Sequence, residues 1–212
     1  MDIKEFKKLP LLAIVRGASS DCIEPIIDCA VSAGLKTLEI AMNTDGAPDL
    51  IKKAVKASKG NLTIGAGTVL SRDSLNLALD AGASFIVTPV LVKDVMRRCR
   101  KNNIPVFAGA LTPNEIWQAW SEGASMVKVF PAKVFGPDYF KQVKAPMHDV
   151  ELLACSGVTA ENLSEYATCG ASAFAFGSSV FKREWLSQNN FSAITGRIRQ
   201  FITAYQGWVG NA

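Results

Sequence analysis

The chain of 212 residues holds one histidine, His148. That excludes a zinc site built from several histidines and argues against a Ser-His-Asp triad. His148 lies in APMHDVELL, which reads as a loop before a strand and suits a surface histidine. Cysteines are few and show no metal or redox spacing: Cys22, Cys29, Cys99, Cys155 and Cys169 form no Cys-x-x-Cys pair. The count is odd, and the opening MDIKEFKKLP lacks the apolar core of a signal peptide. The expectation is reduced thiols in a cytoplasmic protein. No apolar run reaches the length of a membrane span, so no membrane partner is expected. Neither sign of charge dominates: 23 Lys and Arg against 19 Asp and Glu leave a net charge of +4. That is too little to imply a nucleic-acid partner. The densest basic run, RRCRK at 97–101, continues a helical pattern from Asp94 and reads as a solvated helix face.

What is present is an ordinary globular composition, 49% hydrophobic and 20% charged, enough for one large domain over residues 1–212. The tripeptide Gly-Ala-Ser occurs at 82–84, 123–125 and 170–172. Each copy follows a helical pattern and precedes a short apolar run. AGLKTLEIAM at 33–42 has the same shape. Glycine just past a helix end supplies a left-handed cap, and the β-rich run after it is the next strand. Eight strands are expected, over 11–16, 37–42, 63–69, 85–89, 105–111, 126–131, 151–157 and 173–178. Thr112 to Glu115 is a capping box with proline at the first helical position. Ser71 and Thr159 are candidate caps of two further helices. A final helix is expected from about Ser192 to Tyr205, with Ile194, Ile198, Phe201 and Ile202 on one face. Alternating strands and helices mean an α/β fold with a parallel sheet. Eight units fit a closed (β/α)8 TIM barrel. The alternative, an open doubly wound sheet, usually carries a glycine-rich turn after its first strand, and VRGASSDC lacks one.

The stretch VKVFPA places one lysine inside an apolar run. Side chains alternate along a strand. If Val127 and Val129 face the helices, Lys128 and Phe130 point into the barrel. In TLEIAM, Leu38, Ile40 and Met42 would face outward and Glu39 inward. A lysine and a glutamate then enter one interior from strands 6 and 2. A structural ion pair is one reading. Barrel interiors are filled mostly by branched apolar residues, and barrel chemistry sits at the strands' carboxyl ends, which favours a functional one. Burial favours a neutral amine, the form that attacks a carbonyl to give a Schiff base. A neighbouring carboxylate can move the protons. Lys128 with Glu39 is a minimal set for a metal-free aldolase that needs no cofactor beyond a covalent lysine imine. Small residues in the turns after strands 7 and 8, Ser156-Gly157 and Gly177-Ser178-Ser179, expose backbone N–H groups where this fold often holds phosphate.

With these residues in view, the chain resembles the class I aldolases of the 2-keto-3-deoxy-6-phosphogluconate (KDPG) and 4-hydroxy-2-oxoglutarate (KHG) family. The resemblance rests on LEIAMNT, IGAGTV, FIVTP, VKVFPA followed by FGPDYFK, and SGVTAENL. It implies a homotrimer of (β/α)8 barrels that cleaves a small 2-keto acid reversibly to pyruvate. By position, Lys128 matches the Schiff-base lysine and Glu39 the general acid/base. Thr68 and Pro89 match pyruvate-pocket residues, Arg16 the basic residue ending strand 1, and Phe130 the aromatic lining. Gly157, Gly177 and Ser178 match the phosphate-binding turns. Two positions depart from the gluconate pattern. Asn43 stands where an arginine commonly clamps the carboxylate, a feature shared with 6-phosphogalactonate aldolases. Ser156, after Cys155, stands where glycine is usual.

Other polar and aromatic residues have plain readings. Cys155 points toward the site if strand alternation holds, with a buried inert thiol as its default. Trp117 and Trp120 suit packing against a neighbouring helix or subunit, and Asp45 suits a solvated loop. Arg16 can clamp a carboxylate or pair with Glu39. Two other functions share the barrel: a phosphosugar isomerase or epimerase, and a non-catalytic phosphosugar-binding protein. The pairing of Lys128 with Glu39 favours the aldolase.

Overall fold

In the computed structural model, which describes residues 1–210, short apolar runs form eight strands. They are β1 (Leu11–Val15), β2 (Thr37–Ala41), β3 (Thr63–Gly67), β4 (Ile86–Val87), β5 (Val106–Ala110), β6 (Met126–Val129), β7 (Leu152–Cys155) and β8 (Ala173–Phe176). All pair in parallel, in the order β1 to β8, and β8 returns to β1 to close the barrel. The helices between them are α2 (Ser20–Ala33), α3 (Ala47–Ser58), α4 (Arg72–Asp80), α5 (Lys93–Lys101), α6 (Pro113–Ser121), α7 (Pro137–Lys144) and α8 (Leu163–Thr168). The chain ends on α9 (Arg183–Ser187) and α10 (Phe191–Val209), and opens with α1 (Ile3–Lys8). None of the described helices is long and apolar enough to cross a membrane.

Local chemistry sets the boundaries. Gly34, Gly82, Gly123 and Gly170 close four helices with φ of 91°, 95°, 91° and 99°, the left-handed cap that the repeated Gly-Ala-Ser motif predicts. Ser71 and Thr112 form reciprocal capping boxes with Ser74 and Glu115. Thr159 does not cap its helix. It exchanges hydrogen bonds with Asn162, and α8 starts only at Leu163, with Asn162 in the cap position. The strands end earlier than the sequence alone indicates because the chain turns as it leaves the barrel. Thr68 (φ 57°) stops β3, and Ser156 (φ 78°) with Gly157 (φ 82°) stops β7. The last helix is longer than 192–205, and α1, unforeseen in the sequence, is started by the Asp2 side chain accepting from the Lys4 N–H.

Alternation along the strands builds two cores. Leu38, Ile40, Val127 and Val129 join the helices in the outer one. Leu12, Phe85, Val87, Phe107, Met126, Leu153 and Cys155 fill the barrel itself. Phe6 of α1 plugs the amino-terminal end, its ring 5.1 Å from Phe107, which in turn lies 5.7 Å from Phe85. Two glycines give these fillers room. A Cβ on Gly65 would lie 2.4 Å from the Phe85 ring. A Cβ on Gly109 would lie 2.1 Å from the carbonyl carbon and oxygen of Pro89. β4 is therefore short: the Thr88 N–H bonds to the Phe107 carbonyl (3.0 Å), and the chain then folds across Gly109. Because the obstacle there is backbone, Gly109→Ala is expected to cost about 1–3 kcal/mol through overpacking. Urea unfolding with an unchanged m value checks this.

Candidate active site

The closed sheet brings two distant sequence stretches face to face. Glu39 of β2 and Lys128 of β6 both point into the barrel, 1% and 5% exposed. Their nearest charged atoms, Lys128 Nζ and Glu39 Oε1, are 3.9 Å apart. Glu39 Oε2 is buried with no hydrogen-bond partner among the described residues. Burial pushes the Glu39 carboxyl up from its usual range, against the opposing pull of Lys128 and, less strongly, Arg16. The Lys128 ammonium also stands over Phe130, 5.7 Å from the ring centroid. Phe130 is 38% exposed, so it lies at the mouth and not in the depth.

Around this pair the predicted residues fall into two groups. The first shares the barrel mouth with it. Arg16, just after β1, donates to the Thr68 hydroxyl (3.3 Å). It therefore reaches across to β3 and makes no direct ion pair with Glu39. Pro89 is half-buried where β4 ends. Cys155 is 4% exposed and points inward. Burial raises its thiol, while the Lys128 charge acts in the opposite direction. The Cys155 thiol and the Lys128 side chain thus share the barrel interior.

The second group forms an outer rim. Asn43 is exposed in the loop after β2, as is Asp45. Ser156 and Gly157 take consecutive left-handed conformations after β7, and Gly177 and exposed Ser178 follow β8. No hydrogen bond joins Asn43, Gly177 or Ser178 to the buried pair. The rim also holds a neighbour that sequence reading misses. A Cβ on Gly157 would lie 2.4 Å from Lys133 Cβ, so the stem of Lys133, from the short turn after β6, packs on the β7 turn. The contact crosses between two strand ends, and no periodicity in the sequence announces it.

Chemically, the arrangement offers a primary amine, an adjacent proton-exchanging carboxyl and a largely apolar wall. Among the described residues no group of three or more His, Cys, Asp or Glu stands where it could hold a metal. His148 is on the surface, beside Asp149 at 3.3 Å. Trp117 is 54% exposed, and Trp120 packs on the outer core.

Known proteins resemble this chain over most of its length. The family described as KDPG and KHG aldolase matches residues 3–197. The 2-dehydro-3-deoxy-6-phosphogalactonate aldolase of Escherichia coli is 34% identical over 176 residues, covering 82% of this chain and 86% of that protein. The 2-dehydro-3-deoxy-phosphogluconate aldolase of Haemophilus influenzae is 29% identical over 203 residues, 94% of each. Among solved structures, one described as native KDPGal superposes with a TM-score of 0.89 and 31% identity, covering 96% of this chain and 97% of that one.

A raised carboxyl has a definite consequence for stability. Glu39's favourable contribution is fully present below the carboxylate's unfolded value, about 4.3. It is lost as pH rises through the higher folded value. Glu39→Gln removes that loss. Relative to the parent, the variant is expected to gain stability as pH rises above about 4.3, until the folded carboxyl is ionised. Urea midpoints across that range check the slope, and a flat difference contradicts it.

Proposed function

The chain belongs to the KDPG and KHG aldolase family, and from that premise we propose a Schiff-base aldolase cleaving 2-keto-3-deoxy-6-phosphogluconate reversibly to pyruvate and glyceraldehyde 3-phosphate. The observation that carries this reading is the buried Lys128 amine 3.9 Å from a buried carboxyl with one unpartnered oxygen.

Lys128 attacks the C2 ketone, and loss of water leaves an iminium. Glu39 takes the proton of the C4 hydroxyl as the C3–C4 bond breaks, and the bonding electrons flow into the iminium to give an enamine. The aldehyde departs, Glu39 returns a proton to C3, and hydrolysis of the imine frees pyruvate and the lysine. Arg16 and Thr68, already joined at 3.3 Å, hold the substrate carboxylate together with the Pro89 turn. Phe130 lines the entrance. Cys155 lies beside the reacting amine. The phosphate lies at Gly157, Gly177 and Ser178, with the Ser156 hydroxyl as a further donor and the Lys133 stem bordering the turn. No metal or other cofactor enters these steps.

The C4 epimer, 2-keto-3-deoxy-6-phosphogalactonate, is a second reading with its own support. Asn43 takes the place of an arginine carboxylate clamp, and the E. coli relative at 34% identity carries the galactonate name. Unphosphorylated 4-hydroxy-2-oxoglutarate, cleaved to pyruvate and glyoxylate, is a further candidate substrate. The same family reading implies a homotrimer in the cytoplasm. Leu70, Val90, Val134 and Phe135, each 51–58% exposed, follow the carboxyl ends of β3, β4 and β6, and a partner protomer would cover such residues.

Incubation with pyruvate and borohydride is expected to leave a pyruvate-sized adduct on Lys128, found by peptide mass spectrometry and absent from Lys128→Ala. An unmodified Lys128, where a known class I aldolase is trapped, ends the Schiff-base reading. Glu39→Gln is expected to retain binding and lose about 10²–10⁴-fold in kcat. Steady-state pyruvate release from the three substrates ranks them, and faster turnover of the galactonate compound decides for the second reading. Light scattering after gel filtration is expected to give three times the 22.8 kDa chain mass, whereas a monomer mass rules out the trimer.

A further inference from the structure

The Glu39 carboxyl presents a positioning problem. It makes no hydrogen bond among the described residues, Oε2 is unpartnered, and its charged neighbour is 3.9 Å away. An acid that transfers protons to one substrate atom needs a fixed place, and hydrogen bonds are the usual means of fixing it. Here sterics must do so.

Gly67, the last residue of β3, is where the carboxyl rests. A Cβ on Gly67 would lie 2.2 Å from Glu39 Oε1, 2.6 Å from Cδ and 3.2 Å from Oε2, and these are the three nearest atoms. Gly67 is not among the left-handed glycines, and it keeps strand geometry, with its carbonyl accepting from the Met42 N–H (2.7 Å). Backbone conformation therefore does not call for glycine there. Space does, and the space is filled by one carboxyl. The contrast with the neighbouring interior glycines is direct: Gly65 makes room for a packed ring and Gly109 for backbone, whereas Gly67 makes room for the free end of a side chain.

We propose that Gly67 is a positioning residue for the aldolase reaction: the missing side chain is the seat of the Glu39 carboxyl and sets where it stands against Lys128. This rests on the Schiff-base reading above. A methyl group at 67 displaces the carboxyl without disturbing the sheet. Proton transfer then fails while the amine remains competent.

The test uses the full chain, pyruvate as ligand, and Gly67→Ala, Glu39→Gln and their double variant. Three quantities are read: urea midpoint, borohydride trapping on Lys128, and exchange of the pyruvate methyl protons with deuterium. Gly67→Ala is expected to keep its urea midpoint and its trapping. Its exchange is expected to fall about 10²-fold, the effect of a misplacement near 1 Å. In the Glu39→Gln background the same change is expected to have no further effect, because the two residues act as one unit. Parent-like exchange in Gly67→Ala overturns the proposal, as does an equal fall in both backgrounds. If Gly67→Ala does not fold, Glu39→Asp/Gly67→Ala is expected to fold, because the shorter acid vacates the seat, and to exchange at the rate of Glu39→Asp alone. A double variant that exchanges more slowly, or that does not fold, shows that something other than the carboxyl fills the space and overturns the proposal. A parent protein that neither traps nor exchanges pyruvate removes the aldolase reading and the positioning role together.

Discussion

A lysine and a glutamate stand 3.9 Å apart inside the barrel, both almost wholly shielded from water. The rest of the site depends on that pair. On a surface it would be worth little. In the barrel each charge loses its hydration, and each can recover it chiefly from the other. The balance is incomplete: burial lifts the Glu39 carboxyl more than Lys128 and Arg16 pull it down. A pair serving stability alone would show hydrogen bonds to both carboxylate oxygens, and Oε2 has none. Poor satisfaction makes the pair a weak structural tie. It also makes the proton easy to move, as an acid/base group beside a reacting amine requires.

The barrel allows such a pair because its floor and its mouth do different work. Phe6, Phe107 and Phe85 close the amino-terminal end with contacting rings. The inner faces of β3 and β5 include three glycines, at 65, 67 and 109. Low down, the space they leave is taken by Phe85. At the mouth it is taken by the Glu39 carboxyl and by the Pro89 turn. The gaps left by these glycines are thus filled by a ring, a carboxyl and a turn of backbone.

What could be read from the sequence follows from which signals are local. The period of two along a strand put Lys128, Glu39 and Cys155 on the inner face, because that alternation depends on nothing outside the strand. The glycine that closes four of the helices marked the helix-to-strand step of those units, because a left-handed cap is a requirement of the chain itself. Strand ends were less legible. β3 and β7 stop at Thr68 and Ser156, two residues with side chains that adopt positive φ, and sequence propensity gives no warning of that. Contacts between strand ends were not legible at all. Arg16 on Thr68, Lys133 on Gly157 and Pro89 over Gly109 each join residues at least 20 positions apart, and only closure of the barrel brings them together. The resemblance to known aldolases supplied residue roles that spacing alone did not.

The mouth itself is divided. Its inner half, at Lys128 and Glu39, is buried. Its rim is built from turns in which Asn43, Gly157 and Ser178 are exposed and Ser156 and Gly177 are half-buried. A residue with a side chain at φ 78° costs about 1–2 kcal/mol over glycine. Ser156 carries that strain where the distal end of the substrate is proposed to lie, and backbone strain of this kind gathers at functional turns. On the proposed reading, the inner half does chemistry common to every 2-keto acid that forms the same imine, and the rim meets the part in which those acids differ. Substitutions at Asn43 and Ser156 can therefore change which acid is accepted without touching the Lys128–Glu39 pair. The departures from the commonest family pattern fall on the rim, the half of the site that can vary at least cost to the reaction.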